Sequence, residues 1–412
     1  MQIQAVGVAW QIYAMTRDPM ALAYVGLAQF LPMLLLLIPA GDLIDRYNRK
    51  YILIASWLVE GACSALLFWF SWQGVTSLSA FYLVLVLYGC GRAFTGPALQ
   101  SLLPQVVPRR LLASAIAANS MLLRAAAIAG PMLGGALYAL GGGSLTYALC
   151  LGCFLLGIGL MLTVPVRYAE TATTSEAHLS AWQRFSVGIK FIRSKPVILG
   201  SISLDLFAVL LGGVVALLPI YAVEVLDTDS LGLGLLRSAM ALGEVAVGFY
   251  LSIRPFNSRV GRCMFLAVAV FGLANLVFAL SSWFWVSFIA LALAGSADMI
   301  SVYIRSSLIQ FATPDAMRGR VSAVNMLFIS SSNELGEFRA GSMAAWVSAV
   351  PAAVIGSLFT LGVAATWARL FKPLYLVDRF EGAEALTPEA VATKPLVTTQ
   401  EAIQETTQNK QH

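Results

Sequence analysis

Apolar stretches follow one another along this chain almost without pause, and that succession limits what it can fold into. They run over about 1–15, 21–40, 51–71, 78–99, 113–138, 145–165, 197–222, 231–253, 263–281, 283–311, 320–347 and 350–372. Most reach the ~20 residues that a helix needs to cross the hydrocarbon of a bilayer. Backbone polar groups find no water inside lipid, so each stretch is expected to be a helix. The short alternating strands of a membrane β-barrel are absent from the pattern. Composition agrees, with 59% of the residues hydrophobic and 11% charged, against about 25% charged in a soluble protein. The expected fold is an all-α membrane protein of twelve helices. The first stretch, of about fifteen residues, would span roughly 22 Å of a ~30 Å core. The start of helix 1 is therefore expected to be missing. A signal peptide is not expected there, since no basic leader precedes the apolar run.

Charge supplies the orientation. Segments 41–50, 101–112, 166–195, 254–262 and 312–320 hold 15 Lys and Arg residues, and the intervening loops hold one, Arg17. Basic residues mark the cytoplasmic side. The chain is thus expected to thread the bacterial inner membrane with these segments and the 373–412 tail in the cytoplasm, and its lipid bilayer is its first partner. The net charge of +5 is then a topology signal. No basic block interleaved with aromatics points to nucleic acid, which is not expected as a partner. Cys150 and Cys153 form a CxxC among Ala, Leu and Gly, and His178 and His412 lie in polar segments, so no metal site is expected. There is no nucleophilic triad and no phosphate-cradling loop. Neither a cofactor nor enzymatic chemistry is expected.

The 166–195 link divides the stretches six and six. The expected organisation is an N-terminal six-helix bundle over 1–165, the cytoplasmic link, a C-terminal six-helix bundle over 196–372, and a disordered cytoplasmic tail over 373–412, rich in Thr, Glu, Gln and Ala. Within the link, Phe185, Ile189 and Ile192 fall on one face and charges elsewhere, the pattern of an amphipathic helix lying on the membrane surface. The halves also resemble each other. Ser101-Leu-Leu-Pro-Gln-Val-Val-Pro108 precedes Asn119, and Ser307-Leu-Ile-Gln-Phe-Ala-Thr-Pro314 precedes Asn325, at a constant offset of 206 that Gly89 and Gly295 share. A duplicated six-helix unit builds a site between its copies near the bilayer midplane.

Three local patterns carry more. Gly41-Asp-Leu-Ile-Asp45-Arg46-Tyr-Asn48-Arg49-Lys50 joins the second and third stretches. A carboxylate such as Asp45 favours a helix N-terminus, and the three bases can pair with acids or lipid. In the fourth stretch, Gly91-Arg92-Ala-Phe-Thr-Gly96 sets an arginine at bilayer depth, which is costly unless it meets a cavity or a partner. In the fifth, Gly130-Pro131-Met-Leu-Gly134-Gly135 lets helices approach closely and bends the segment.

These segments resemble the loop 2–3 signature of the major facilitator superfamily and the fourth- and fifth-helix motifs of its drug/proton antiporters. Asn48 stands where the signature has its second glycine, and Asn tolerates the left-handed conformation. The run Thr313-Pro-Asp-Ala-Met-Arg-Gly-Arg320 with Asn333-Glu334-Leu-Gly-Glu337-Phe-Arg339 resembles the subfamily of enterobactin exporters and macrolide-efflux-like proteins. The resemblance implies a monomeric major facilitator fold, a small-molecule substrate exchanged for protons, and helices 1, 4, 7 and 10 around the cavity. It also implies that Asp45 faces the start of helix 11, near Arg318 to Ser322, and holds the cytoplasmic side shut. The matching loop of the second half, Arg254 to Arg262, keeps the bases and lacks the acid.

The remaining charges within apolar stretches are candidates for coupling or substrate binding. Asp298 and Arg305 lie seven apart and share a helix face. Asp205 and Asp298 could carry a proton or could form structural ion pairs. Arg237 and Glu244, also seven apart, are expected to pair with each other, and Glu60 and Arg124 are further candidates. Asn333, Glu334, Glu337 and Arg339 cannot all face lipid. They form either a substrate or proton site or a buried ion cluster. Trp10, Tyr13, Phe207 and Tyr303 are candidate cavity walls for an amphipathic cargo such as a siderophore, macrolide or drug. An uncoupled facilitator or importer, and a non-transporting remnant or sensor, are the alternatives.

Overall fold

The computed structural model describes residues 1–108, 111–165, 181–256 and 258–380. Among them the chain is helical and contains no strand. The first half comprises α1 (Gln2–Thr16), α2 (Pro19–Arg46), α3 (Arg49–Gln73), α4 (Leu78–Val106) and α5 (Leu112–Thr163). Local chemistry sets the joints. Arg17 ends α1 in the left-handed conformation, and Asp18 accepts from the Met20 N–H to start α2 on Pro19. Asn48 is extended, at φ −64 and ψ 113, and its side chain accepts from the Lys50 N–H. It acts as the N-cap of α3, not as the left-handed residue that the sequence pattern suggested.

The 52 residues of α5 are two helices. Gly141 and Gly142 leave helical geometry, and Gly142 has φ +62 with ψ −161, a region essentially reserved for glycine. The arms run back along α1 in opposite senses. The first passes Gln2 at Gly130 and Ile3 at Gly134, and the second meets Gln11 at Gly143 and Gly7 at Thr146 and Tyr147.

The second half comprises α6 (Ala181–Ser194), α7 (Pro196–Gly212) with an irregular 3-10 and π-helical continuation over 215–225, α8 (Ser230–Ile253), α9 (Val260–Leu280), α10 (Phe284–Ala312), α11 (Asp315–Val347), α12 (Ala349–Leu370) and the short α13 (Lys372–Tyr375). Nine helices of the described residues are long and apolar enough to cross a membrane, the α5 pair counting once. The expected twelve would add α1, of 15 residues, and α11, whose 33 residues include many polar side chains.

Two expectations change. The apolar face of α6 packs on protein: Ile192 is buried, Phe185 and Ile189 lie against the same core, and Gly188 touches the Arg320 backbone of α11. The stretch expected to be disordered from 373 onward begins ordered. Leu374, Val377 and Phe380 are buried, and the N–H groups of Val260 and Gly261 donate to the carbonyls of Asp378 and Val377. These contacts cap the start of α9 with backbone acceptors. Residues 166–180 and 381–412, which hold the rest of the expected link and tail, lie outside the described residues.

The duplication is visible in packing. Gly89 of α4 lies against the Gln29 carbonyl of α2, and Gly295 of α10 lies against the Met240 carbonyl of α8. A side chain at either site would hold the helices apart. The cores differ between the two ends of the molecule. Away from the Lys/Arg-rich segments, one cluster spans both halves and joins Val6, Tyr13 and Leu22 to Leu217, Leu233, Phe278 and Ala344. At the basic end the clusters are separate: Ile44, Leu53, Ala98 and Leu102 in the first half, and Val197, Val260, Leu308 and Val321 in the second.

Candidate functional site

At the basic end the two halves keep separate apolar clusters, and the α5 flank of the first half is open. None of the described side chains from 111 to 129 in α5 is buried, whereas Gly130, Pro131, Gly134 and Gly135 are. Beyond that point α5 closes on α8: Ser230 and Ser238 hydroxyls donate to the Gly135 and Ile128 carbonyls, at 3.0 and 2.7 Å. The two halves thus pack closely along the α5–α8 seam in its far part, and nearer the basic end they meet through a side-chain ion pair, Arg124 with Glu244. The glycine motif serves two contacts, with Gly130 and Gly134 against α1 and Gly135 against α8.

Charged side chains sit where the halves face each other. Arg92 on α4 lies 3.8 Å from the Glu334 carboxylate on α11 and donates to Gln29 Oε1 on α2 at 3.4 Å. Glu337, one turn on, is within electrostatic reach of Arg92 and of Arg237 on α8. Gly26 of α2 leaves room for both acids. On the other seam, Arg124 of α5 donates to Glu244 of α8 at 2.7 Å, and Asp298 of α10 is within electrostatic reach of both. Each pair places a first-half arginine opposite a second-half glutamate. Arg237 and Glu244 therefore do not pair with each other; each turns to a partner on another helix. Asp298 and Arg305 share a helix but not an environment.

Asp205 and Arg305 form a buried ion pair inside the second half, with side chains 8% and 3% exposed. Arg339 leaves the Glu334 group and caps α7, donating to the Leu210 and Gly213 carbonyls at 3.1 and 3.3 Å. Asn333 is exposed, as is Gly96, and nothing lies within 4 Å of a Cβ placed at Gly96 or Gly41. The loop 2–3 bases bind their own half: Arg46 pairs with Asp42 at 3.0 Å, Arg49 donates to the Ser101 carbonyl at 3.1 Å, and Lys50 reaches the Leu162 and Val164 carbonyls. The Asp45 side chain lies outside the described residues. The aromatic candidates are engaged in packing, with Phe207 on Trp367 and Tyr303 on Phe256 and Phe380.

Sequence reasoning passed over two polar features. Gln4 and Gln11 on α1 face Ser64 and Ser71 on α3: Ser64 donates to Gln4 Oε1 at 2.8 Å, Gln11 donates to Ser71 at 3.0 Å, and Tyr147 donates to Gln11 Oε1 at 2.8 Å. The seven-residue spacing of both pairs was the available signal. Tyr13 donates to Glu224 in the π-helical segment after α7, tying the halves at the end opposite the basic one. No periodicity marks that contact, because it lies 211 residues apart in a non-α turn.

A family model described as transmembrane secretion effector matches residues 1–400. An enterobactin exporter of Citrobacter koseri is 28% identical over 85% of this chain and 83% of its own length. A Na(+), Li(+), K(+)/H(+) antiporter of Planococcus maritimus is 23% identical over 70% of this chain and 73% of its own. Among solved structures, a bacterial homolog of the human lysosomal transporter Spinster, inward-facing and occupied, aligns with TM-score 0.66 and 16% identity, over 94% of this chain and 98% of that one. A bacterial homologue of the iron transporter ferroportin, also inward-facing, aligns with TM-score 0.65 and 18% identity, over 89% and 96%.

Proposed function

Because the chain belongs to the transmembrane secretion effector family of major facilitator transporters, we propose that it exports a small amphipathic molecule across the bacterial inner membrane in exchange for protons. It is a multi-pass membrane transporter and not an enzyme. The observation that carries the finer reading is the pairing of Arg92 with Glu334 between halves that share a core at one end only. Ionised groups are retained within membrane helices where they face a pathway or one another. A protein closed at one end and parted at the other can alternate by rocking its halves about that charged middle.

The positive-inside asymmetry assigns the parted end to the cytoplasm, so this conformation is the inward-facing one. Twelve spans follow, with α1 and the polar α11 completing two six-helix bundles around the pathway and the C-terminus in the cytoplasm. Loading occurs from inside. Glu334 and Glu337 offer the cargo an acidic wall, while Arg92 and Arg237 offer cations. The enterobactin-exporter relative makes a siderophore the first cargo to test, and the cation-antiporter relative supplies the competing one.

The test is uptake into inside-out proteoliposomes under an imposed pH gradient, with enterobactin in one arm and Na+, Li+ or K+ in the other. Gradient-driven enterobactin uptake, reduced at least tenfold by Arg92→Gln or Glu334→Gln, supports export. Gradient-driven cation movement alone replaces it with cation/proton exchange. Enterobactin movement indifferent to the gradient leaves a facilitator.

A further inference from the structure

Glu60 has no role in the pathway just described, yet it is the most enclosed acid among the described residues. It lies on α3, is 0% exposed, and belongs wholly to the first half. Its Oε1 accepts from the Thr95 hydroxyl of α4 at 2.6 Å. Its Oε2 has no hydrogen-bond partner. Two more polar atoms in the same core also lack one: Tyr88 Oη on α4, within electrostatic reach of Glu60, and Gln4 Nε2 on α1, whose Oε1 accepts from Ser64, the hydroxyl that also faces the Glu60 backbone carbonyl. Unsatisfied polar atoms are rare in a packed interior. An enclosed carboxyl with one oxygen bound by Thr95 and the other unpartnered, beside an unpartnered Tyr88 hydroxyl on the facing helix, marks a site.

The chemistry of the set selects its occupant. A metal cation would need several oxygen ligands, and no group of three or more His, Cys, Asp or Glu side chains gathers among the described residues. An isolated carboxylate cannot stay ionised at such depth without a paired cation. The charged or titratable neighbours are the amino group of Met1 from α1, Cys63 on α3, Tyr88, Cys90 and Arg92 on α4, and Cys150 on α5. Two of these are cations, the Met1 amino group and Arg92; Arg92 is the one shared with the other half, and it is turned toward Gln29 and Glu334.

We propose that Glu60 is a proton-binding site that competes with Glu334 for Arg92, and so couples protonation to the state of the two halves. The inference rests on the proton-exchange reading and names the group that carries the proton. With Glu60 protonated, Arg92 is free to bridge to Glu334 in the other half, the arrangement seen here. When the Glu60 O–H bond breaks, its electron pair stays on the carboxylate and the proton passes to water in the pathway. The new anion draws Arg92 back into its own half, the bridge to Glu334 is lost, and the closed end is released. A proton arriving from the opposite side reverses each step. Glu60 thus acts as a positioning residue through Arg92.

Two measurements on purified protein test this without a known cargo. Infrared difference spectra between about pH 5 and about pH 9 should show the carbonyl band of a neutral carboxyl disappearing in the wild type and missing at every pH in Glu60→Gln. In liposomes, a cysteine-free background carrying Ala344→Cys reports opening of the closed end to an impermeant maleimide. Labelling should rise severalfold with pH, stay low in Glu60→Gln, and regain its rise in Glu60→Asp, which restores a carboxyl. A band that does not titrate, or one unchanged in Glu60→Gln, overturns the proposal, and so does pH-dependent labelling that survives the substitution. Should Glu60→Gln not fold, mass-spectrometric mapping of carbodiimide adducts on the wild type decides: an adduct at Glu60 that fades with rising pH supports the site, and no adduct there ends it. If cargo ignores the proton gradient while the Glu60 band titrates, export coupling fails and the site stands. Gradient-driven cargo movement undisturbed by Glu60→Gln does the reverse.

Discussion

Asp205 was a sequence-level candidate for proton coupling, and its surroundings forecast another outcome for Asp205→Asn. Its carboxylate is bound by Arg305, both side chains being at most 8% exposed. At hydrogen-bonded contact of about 3 Å and an effective dielectric of about 20, the Coulomb attraction is about 5 kcal/mol. Removing one partner leaves the other charge buried, which costs about 3–5 kcal/mol. Partly unfolded helices in a bilayer also find polar partners, so the lower end, about 3 kcal/mol, is the working figure. That is roughly a hundredfold in the folding equilibrium. Asp205→Asn is therefore expected to unfold at clearly lower denaturant in detergent and to accumulate poorly. The double variant Asp205→Leu/Arg305→Met, which removes both charges at similar volume, should recover the stability and with it transport. The readouts are denaturant unfolding and gradient-driven uptake on the same preparations. A stable Asp205→Asn protein that has lost only gradient coupling would refute the structural assignment and return Asp205 to the proton path.

Two further perturbations probe helix contacts. Gly135→Val drives a branched side chain into the Ser230 carbonyl of α8, whereas Gly96→Ala meets nothing within 4 Å; the first should cost about 1–3 kcal/mol by overpacking and the second should be silent in thermal stability. Gly142→Ala forces φ +62 with ψ −161 on an L-residue and should cost about 1–3 kcal/mol, seen as a lower yield of folded protein on size-exclusion chromatography.

The helical architecture was legible because burial in lipid leaves the backbone one local solution, and length and apolarity declare it. The glycines of the fifth-helix motif were legible, since Gly130, Gly134 and Gly135 all sit at close contacts, whereas Gly41 and Gly96 face open space. Partners of the charges were not. Spacing of seven put Arg237 with Glu244 and Asp298 with Arg305 on shared faces, but a long side chain on a packed helix finds its counterion across an interface. Arg124, Glu244 and Asp298 gather from three helices, as do Arg92, Glu334 and Arg237. Amphipathicity located α6 and could not say whether protein or membrane would cover it, since both offer an apolar surface. The fate of Asp42 to Lys50 was half legible: the bases were evident, while the backbone carbonyls that bind Arg49 and Lys50 have no sequence signature.

The composition of the shared core explains how such a molecule can be closed at one end without being locked. Eleven of the 23 buried residues in the cluster joining the halves are alanines, against three of 21 in the basic-end cluster of the second half. The first half contributes only Val6, Ala9, Tyr13 and Leu22 to the buried part of that cluster, and at roughly 25 cal/mol per Å² of apolar burial the contact across the seam is small. Large side chains interlocked across the halves would hold one state. The ion pairs that cross the seam are solvated. Arg124 and Glu244 are 47% and 26% exposed, and an ion pair that wet contributes about 1 kcal/mol or less. It sets the register of the halves without fixing them. The dry ion pair of Asp205 with Arg305 lies within one half, where it ties α7 to α10. Two halves joined by a small apolar contact and solvated charges fit the proposed exchange, since states separated by a few kcal/mol are reversed by a ligand that binds one of them better.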